Sequence, residues 1–321
     1  GKRVKLKIIY ITGCLGFIGS HVTRECLKKG WKVFGIDKCN YAANVELLDE
    51  FEDSSNFTFL KEDIADLRFL PDCDYLINTA AESHVGNSII NSDEFVNSNI
   101  VGTKNLLELI RHKPKNAFKR PTFLHFSTDE VYGDILEGGH SEEDLLKPSN
   151  PYAAAKASAD MLTLAWARTY DLEYIIVRPT NNYGTHQYPE KLIPLCVKAL
   201  QCNQKIKLHN EGEPYRCWLH AEDTALAVIT LIENDAKNEI YNISGGFEQK
   251  NKDTVKQVIE AFHGPGFSWE SYVDFSWARE GQDLRYWVDD KKLRDLGWKP
   301  QKVFNEEITH IVNFYKENFR W

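Results

Sequence analysis

The sequence lacks long hydrophobic runs, paired cysteines and an excess of basic residues, and each absence excludes a class of protein. No apolar run approaches the roughly 20 residues that a membrane span needs, so we expect no membrane partner. The net charge of -8 disfavours nucleic-acid binding, which requires a basic face. The seven cysteines are scattered and contain no C-x-x-C pair, which argues against a disulfide framework or a zinc site.

The same features predict where the protein works. Unpaired cysteines are typical of a reducing compartment. The segment Gly1–Lys7 is charged and lacks the apolar core of a signal peptide. We therefore expect a cytoplasmic protein without a bound metal.

Short apolar runs alternate with helical stretches over the first 180 residues. The runs are nearly continuously apolar, as expected for parallel strands that are covered on both faces. The predicted strands are Lys7–Ile11, Lys32–Ile36, Phe57–Leu60, Tyr75–Asn78, Thr122–Phe126 and Tyr174–Val177. The predicted helices between them are Phe17–Lys29, Ser92–His112 and Pro151–Tyr170. This alternation predicts an α/β fold with a doubly wound parallel (Rossmann) sheet.

The pattern changes beyond Pro179, where short strands, helices and more aromatic residues follow. We expect a first domain over residues 1–180 and a smaller C-terminal α/β domain over 181–321, with a ligand cleft between them. Leu192–Leu200 and Val303–Phe319 are predicted helices. The boundary is soft, because Glu222–Glu233 and Ile240–Ile243 could pack back onto the first domain.

A glycine-rich segment, T-G-C-L-G-F-I-G at Thr12–Gly19, joins the first strand to the first helix. Glycines at this spacing let the backbone turn tightly and approach a pyrophosphate, and the helix N-terminus offers free N–H groups. Asp37 lies 18 residues past Gly19, where a carboxylate can accept hydrogen bonds from the adenosine ribose and repel a 2′-phosphate. The segment therefore predicts NAD binding and favours NAD over NADP. The alternative is a loop whose glycines only turn the chain.

Two further segments follow predicted strands. Asp63 and Ile64 follow the third strand, and the fourth strand leads into Ala80, Ala81 and His84. Ligands of a doubly wound sheet lie at the carboxyl ends of its strands, so these segments should line the same crevice. Taken alone, each segment is more often a plain loop, and His84 alone is more often structural.

Tyr152 and Lys156 follow a helix start signal, since Asn150 can cap the helix and Pro151 can open it. The two residues are spaced i and i+4 and share one helix face. Tyrosine, with a pKa near 10, is a poor base at neutral pH. A lysine ammonium and an oxidised nicotinamide would lower that pKa, which predicts a catalytic pair. Y-x-x-x-K also occurs by chance on exposed helices.

The fifth predicted strand runs into Thr128, Asp129 and Glu130. A hydroxyl and two consecutive carboxyls at a strand's carboxyl end are well placed for acid and base chemistry. Adjacent acids in a loop are otherwise usually solvated.

Together these motifs resemble the extended short-chain dehydrogenase/reductase family, and within it the nucleotide-sugar 4,6-dehydratases that act on dTDP-glucose or UDP-glucose. The resemblance covers nearly the whole chain. The matching parts are Thr12–Gly19, Ala80–Val85, Ser127–Gly133, Pro151–Lys156, Asn181–Gly184, Pro189–Pro194, Arg216 and Trp218. The Asp-Glu pair is the most specific of them, because related epimerases and decarboxylases lack it.

The resemblance implies an NAD-dependent lyase and a role for each catalytic residue. Tyr152 takes the proton of the C4 hydroxyl, to which Thr128 hydrogen-bonds, while a hydride passes from C4 to NAD. Glu130 removes the C5 hydrogen, and protonated Asp129 gives its proton to the C6 hydroxyl, which leaves as water. The hydride returns to C6 and Glu130 reprotonates C5. Lys156 supports the phenolate.

The resemblance also implies the binding residues and a homodimer. Cofactor contacts are expected from Gly13, Gly16, Phe17, Ile18, Gly19, Asp37, Lys38, Asn40, Asp63, Ile64, Ala80, Ala81, Ser83, Ser98, Tyr152, Lys156 and Asn182. Substrate contacts are expected from Ser83, Thr128, Asn181, Lys191, Leu192, Lys207, Leu208, His209, Arg216, Asn251 and Arg279. The helices Ser92–His112 and Pro151–Tyr170 are those that would pair in the dimer.

Four positions depart from the family pattern, namely Gly86, Cys217, Glu280 and Gln282. They leave the choice between UDP and dTDP open, since the two bases differ by one methyl group, worth only about 1–3 kcal/mol in a pocket. Two alternative functions remain. One is a sugar-nucleotide epimerase or decarboxylase on the same fold, and the other is a non-catalytic NAD-binding sensor or scaffold.

Overall fold

The computed structural model describes residues 6–39, 43–79, 92–114, 120–266, 268–279 and 282–318. Its strands are β1 Ile8–Thr12, β2 Lys32–Asp37, β3 Phe57–Lys61, β4 Tyr75–Asn78, β5 Thr122–Phe126, β6 Tyr174–Pro179, β7 Asn181–Tyr183, β8 Ile206–Lys207, β9 Tyr215–His220, β10 Glu239–Ile243, β11 Phe247–Lys250 and β12 Val273–Asp274. Its helices are α1 Phe17–Lys28, α2 Leu47–Glu52, α3 Ser92–Val96, α4 Gly102–Arg111, α5 Pro151–Tyr170, α6 Leu192–Gln201, α7 Ala221–Glu233, α8 Asn251–His263, α9 Lys291–Arg294 and α10 Phe304–Glu317.

Seven strands form a parallel central sheet in the order β10-β6-β5-β4-β1-β2-β3. Ile9 of β1 pairs with Val33 on one side and with Tyr75 on the other. The strand order reverses direction at β1, and a doubly wound sheet opens its ligand crevice at such a point. The predicted doubly wound sheet is confirmed.

Alternate residues of the strands point into two different cores. Ile9 and Ile11 belong to the core that includes residues of α1 and α7, whereas Tyr10 and Leu76 belong to the core that includes residues of α4 and α5. Successive side chains of a strand point to opposite faces, so a sheet covered on both faces needs apolar residues at every position. This explains the continuous apolar runs in the sequence.

The seventh strand, β10, was not among the predicted strands of the first part. It pairs with β6, and α7, which precedes it, packs against α1. The segment therefore does pack back onto the central sheet, although 60 residues separate the ends of β6 and β10 in sequence (Pro179 and Glu239). Periodicity is a local signal and does not report pairing over that distance. The division of the chain at residue 180 remains a prediction.

The predicted helix Ser92–His112 is interrupted by a π-helical turn over Asn97–Val101, between α3 and α4. The expectation of one uninterrupted α-helix is wrong at this point. Single π turns inside α-helices are frequent at functional sites. This one carries Ser98, whose side chain reaches the cavity described below.

The rest of the C-terminal part forms its own core. The sheet β11-β9-β7 and the helices α6, α8 and α10 contribute its buried side chains. The predicted terminal helix Val303–Phe319 is observed as α10, and Phe319 lies outside the described residues. Within the described ranges, none of the helices combines the length and apolar character that crossing a bilayer requires.

Candidate active site

A cavity of about 560 Å³ lies where the central sheet meets the C-terminal part. The glycine segment, the ends of β2 and β5, the first turn of α5 and the segment around β9 all contribute to its wall. It therefore occupies the crevice at the carboxyl ends of the strands.

Most of the predicted site residues line this cavity. They are Gly13, Gly16, Phe17, Ile18, Gly19, Asp37, Lys38, Asp63, Ile64, Ser98, Thr128, Asp129, Glu130, Tyr152, Asn181, Asn182, Lys191, Leu192, Lys207, Leu208, His209, Arg216, Asn251 and Arg279. Lys156 is buried in the protein interior and does not form part of the described cavity wall. Asn40, Ala80, Ala81 and Ser83 lie outside the described residues. The individual roles of all these residues remain predictions.

The glycine segment leaves room for a bound group at the start of α1. Gly13 has a φ of 70°, in the left-handed region that favours glycine. A Cβ atom on Gly19 would lie 1.9 Å from the carbonyl oxygen of Gly13. Gly16 caps α1 without a side-chain hydrogen bond, so the N–H groups of the first turn are free of such a cap beside the cavity. This arrangement fits the pyrophosphate of a dinucleotide.

Asp37 ends β2 and is held by two backbone groups. Its carboxylate accepts a hydrogen bond from the N–H of Leu15 at 3.0 Å and from the N–H of Cys39 at 2.8 Å. Burial raises the pKa of Asp37, and these hydrogen bonds oppose the rise. Next to it, Lys38 Nζ donates to Ser98 Oγ at 3.2 Å. A fixed acid at this position suits ribose hydroxyls and disfavours a 2′-phosphate.

Tyr152 lies in the first turn of α5, whose start is organised as the sequence predicts. Asn150 Oδ1 accepts a hydrogen bond from the N–H of Ala153 at 2.9 Å, and Pro151 occupies the first helical position. The predicted helix cap is confirmed. The ring of Tyr152 packs against Phe95, with 5.6 Å between ring centroids.

The electrostatic surroundings of Tyr152 differ from the expectation. Burial raises its pKa, and Glu130 and Asp129 raise it further. Burial also lowers the pKa of Lys156 to about 8, against the opposing effect of Asp160. The expected lowering of the tyrosine pKa is therefore not produced by the protein's own side chains, because desolvation dominates. A phenolate at Tyr152 requires positive charge beyond that of Lys156.

The acid pair lies on a short 3-10 turn, Asp129–Tyr132, directly after β5. The hydroxyl of Thr128 accepts from the N–H of Glu130 at 3.2 Å and donates to Asp129 Oδ1 at 3.3 Å. Burial and the neighbouring charge of Glu130 raise the pKa of Asp129 to about 8, although Arg216 and Thr128 act against them. Asp129 is therefore protonated at neutral pH and can donate a proton.

Two cations and a phenol face the other acid, Glu130. Burial raises the pKa of Glu130, while Arg216 and Lys191 lower it. The hydroxyl of Tyr286 hydrogen-bonds to Glu130 and also to Asp283. Arg216, which the sequence suggested for a diphosphate, thus also influences both acids.

Three buried polar atoms of the C-terminal wall lack a hydrogen-bond partner within the described part of the chain. They are Asn251 Oδ1, Trp218 Nε1 and His209 Nδ1. All three residues line the cavity. Buried polar groups are normally satisfied, so these atoms indicate a polar ligand in this half of the cavity.

The sequence reasoning missed several groups at the site, among them Tyr286, Glu190, Ser127 and Asp160. Tyr286 carries no sequence signal, since it approaches Glu130 from 156 residues away along the chain. Asp160 did carry one. It continues the i, i+4 spacing of Tyr152 and Lys156 by one more turn of the helix.

Comparison with known proteins gives concordant matches over the whole chain. The family model described as GDP-mannose 4,6 dehydratase matches residues 10–311. A dTDP-glucose 4,6-dehydratase of Streptomyces niveus is 38% identical, with 98% of this chain and 94% of that protein covered. A trifunctional protein of Arabidopsis thaliana that includes UDP-glucose 4,6-dehydratase activity is 37% identical, with 98% of this chain and 48% of that protein covered.

The fold is also similar to solved structures. The dTDP-glucose 4,6-dehydratase DesIV of Streptomyces venezuelae, crystallised with NAD bound, superposes with a TM-score of 0.89. It is 36% identical, and the match covers 97% of each chain.

Proposed function

Because this chain belongs to the GDP-mannose 4,6 dehydratase family of extended short-chain dehydrogenases/reductases, we propose that it is an NAD-dependent lyase. It removes water from a nucleoside-diphosphate glucose and leaves the 4-keto-6-deoxy sugar. The motifs of the sequence predict this family, and the matches confirm it.

The protonated carboxyl of Asp129 carries the proposal. Elimination of a hydroxyl as water requires a proton donor, and a carboxyl of ordinary pKa is ionised at neutral pH. Burial and Glu130 raise the pKa of Asp129 to about 8, in a cavity that also contains Tyr152 and the glycine segment. An epimerase or a decarboxylase needs the tyrosine and the cofactor but has no use for this acid.

The residues of the chain divide the proton transfers among them. Tyr152 takes the proton of the C4 hydroxyl, and Thr128 hydrogen-bonds to that oxygen. Glu130 removes the C5 proton, which the new 4-ketone has made acidic, and Asp129 protonates the departing C6 hydroxyl. Glu130 returns a proton to C5 at the end. NAD, when bound, accepts a hydride from C4 and gives it back at C6, so the cofactor is not consumed.

The glycine segment and Asp37 would hold the cofactor, as their geometry fits a dinucleotide. The C-terminal wall would hold the nucleotide sugar. Arg216 and Arg279 are suited to the diphosphate because guanidinium groups bind oxyanions in fork geometry. Asn251, Trp218 and His209 present the polar atoms that lack protein partners in the described ranges. We propose glucose as the sugar, with dTDP or UDP as its carrier.

The decisive experiment is incubation of the purified protein with dTDP-glucose and UDP-glucose in deuterated water. Because Glu130 reprotonates C5 from exchanged solvent, the product should carry a single deuterium at C5. The relative rates rank the two bases. If tight NAD were present but neither sugar nucleotide reacted, the non-catalytic alternative would replace this proposal.

We also propose that the chain forms a homodimer in the cytoplasm. Val96, Val101 and Met161 expose between 40% and 48% of their surface on α3, the π turn and α5. These elements pack against one another, as the contact between Phe95 and Tyr152 shows. Exposed apolar side chains on adjoining helices are suited to pairing with a second copy. Scattered, unpaired cysteines support the cytoplasmic location.

A further inference from the structure

A buried ion pair connects α5 with β6 close to the acid-bearing turn. Asp160 on α5 is fully buried, and Arg178 on β6 is 2% exposed. Asp160 Oδ2 accepts hydrogen bonds from Arg178 Nε at 3.1 Å and from Arg178 Nη2 at 3.0 Å. Burying two charges carries a large desolvation penalty, and such a pair is weak evidence for stability by itself. Its place in the fold indicates another purpose.

Asp160 shares a helix face with the catalytic pair. It follows Lys156 by four residues and Tyr152 by eight. Three groups act electrostatically around Lys156, namely Asp160 on its own helix, His125 on β5 and Arg178 on β6. His125 is neutral, because burial, Lys156 and Arg178 all lower its pKa. Among these groups Asp160 alone is negative, so its carboxylate is the one that supports the charge of Lys156.

The same ion pair reaches both ends of the turn that carries the acids. Ser127, directly before Thr128, donates from its hydroxyl to Asp160 Oδ2 at 2.8 Å. Tyr132, the last residue of the turn, accepts from Arg178 Nη1 at 2.9 Å. The hydroxyl of Tyr132 in turn donates to Asn242 Oδ1 of β10 at 2.6 Å. Asp129 and Glu130 are therefore suspended between two anchors that belong to a single ion pair.

We infer that Asp160 and Arg178 form a positioning pair that holds the Asp129–Glu130 turn in register with Tyr152 and Lys156. The pair touches neither the cavity nor, by this inference, the reacting atoms, so both are positioning residues. The inference rests on the proposed function, because the register matters only if the acids and the tyrosine act on one sugar ring. It explains why an expensive buried pair lies between two elements of the site.

The test compares Asp160→Asn and Tyr132→Phe with the wild-type enzyme, using dTDP-glucose and UDP-glucose. Asp160→Asn keeps the shape of the side chain and removes its charge. We expect kcat to fall about 10- to 100-fold with little change in KM. The alkaline limb of the rate profile should move to lower pH, because the carboxylate no longer raises the pKa of Lys156.

Tyr132→Phe removes the hydroxyl that anchors the end of the turn and leaves the ring in place. It should slow water loss more than the initial oxidation, followed by cofactor absorbance in a single turnover, and it should leave the alkaline limb unmoved. Asp72→Asn is the matched control, since its partner Lys113 lies 2.9 Å away in an exposed pair remote from the cavity. Its kcat and rate profile should equal those of the wild type.

The inference is overturned if Asp160→Asn lowers only the melting temperature while kcat and the rate profile per folded molecule stay unchanged. Should that variant fail to fold, an unchanged kcat and an unchanged ratio of the two steps in Tyr132→Phe overturn it equally. A wild-type protein that makes no product contradicts the proposed function instead. In that case an NMR titration of Lys156 in lysine-labelled protein decides, because equal pKa values with and without the Asp160 charge would refute the pairing.

Discussion

Thr128 and Asp129 are joined by a hydrogen bond in which the threonine hydroxyl donates to the carboxyl oxygen at 3.3 Å. The same hydroxyl accepts from the N–H of Glu130, so one side chain organises the start of the acid-bearing turn. The contact stabilises the ionised form of Asp129, yet burial and Glu130 raise the pKa of that residue to about 8. Desolvation is therefore stronger than the local hydrogen bond, and the acid keeps its proton at neutral pH.

Replacing Asp129 with Asn should separate the two halves of the reaction. Asn keeps the size of the protonated carboxyl but donates no proton, so water loss should slow by about 100-fold or more while oxidation at C4 continues. A rapid-mixing experiment should show reduced cofactor accumulating before product appears. Asp295→Asn, which affects an exposed pair with Lys291, is the matched control and should behave as wild type. If water loss and oxidation were both untouched, Asp129 would not be the acid.

The same variant should become more stable as the pH rises. The folded-state pKa of Asp129 is about 8 against a model value of 3.8, so the folded protein binds the proton more tightly than the unfolded chain. Stability from this group is therefore lost as the pH rises from about 4 to about 8. Asn has no such loss, so the melting temperature of the variant should exceed that of the wild type by about 2 °C or more at pH 7.5. The difference should shrink toward pH 4, and a difference independent of pH would contradict the raised pKa.

Gly19→Ala should abolish tight cofactor binding. The new Cβ would lie 1.9 Å from the carbonyl oxygen of Gly13, so the backbone of the glycine segment must shift. Calorimetry with NAD on cofactor-free protein should show a Kd raised about tenfold or more, because the pyrophosphate needs close backbone approach. Gly30→Asn is the control, since Gly30 has a φ of 76° in open space and Asn tolerates that conformation. Equal affinities of the two variants would remove the glycine segment from the cofactor site.

Met161→Lys should weaken the proposed dimer. Met161 is 48% exposed on α5, and a charge on a self-complementary surface meets its own copy across the two-fold axis. Sedimentation at micromolar concentration should give a dimer for the wild type and a larger monomer fraction for the variant. Leu145→Lys, at a residue that is 78% exposed and outside both helices, should leave the dimer intact. A monomeric wild type would refute the proposal directly.

The local features of the site were predictable because each depends on neighbouring residues. The cap at Asn150 and the shared face of Tyr152 and Lys156 follow from helix geometry over a few residues. The π turn around Ser98 was not predictable in this way. The predicted helix is continuous in sequence pattern, and the extra residue of the turn is decided by how α3 and α4 pack against α5.

The long-range contacts of the site were not predictable from pattern. Tyr286 reaches Glu130, and Arg178 reaches Tyr132, from elements that lie far apart in the chain. The parallel strand β10 joins the sheet beside β6, where its Asn242 receives the hydroxyl of Tyr132. Such contacts depend on the order of the strands, which the sequence signals do not contain.

The sequence by itself determined the glycine segment, the helix start at Asn150 and the order of acids and tyrosine along the chain. These are local consequences of backbone freedom, capping and spacing. Only the tertiary structure decided the protonation of Asp129 and the support of Lys156. Both depend on burial and on charges such as Arg216 and Asp160, and a charge acts through distance in space and through the surrounding dielectric, which separation along the chain does not specify.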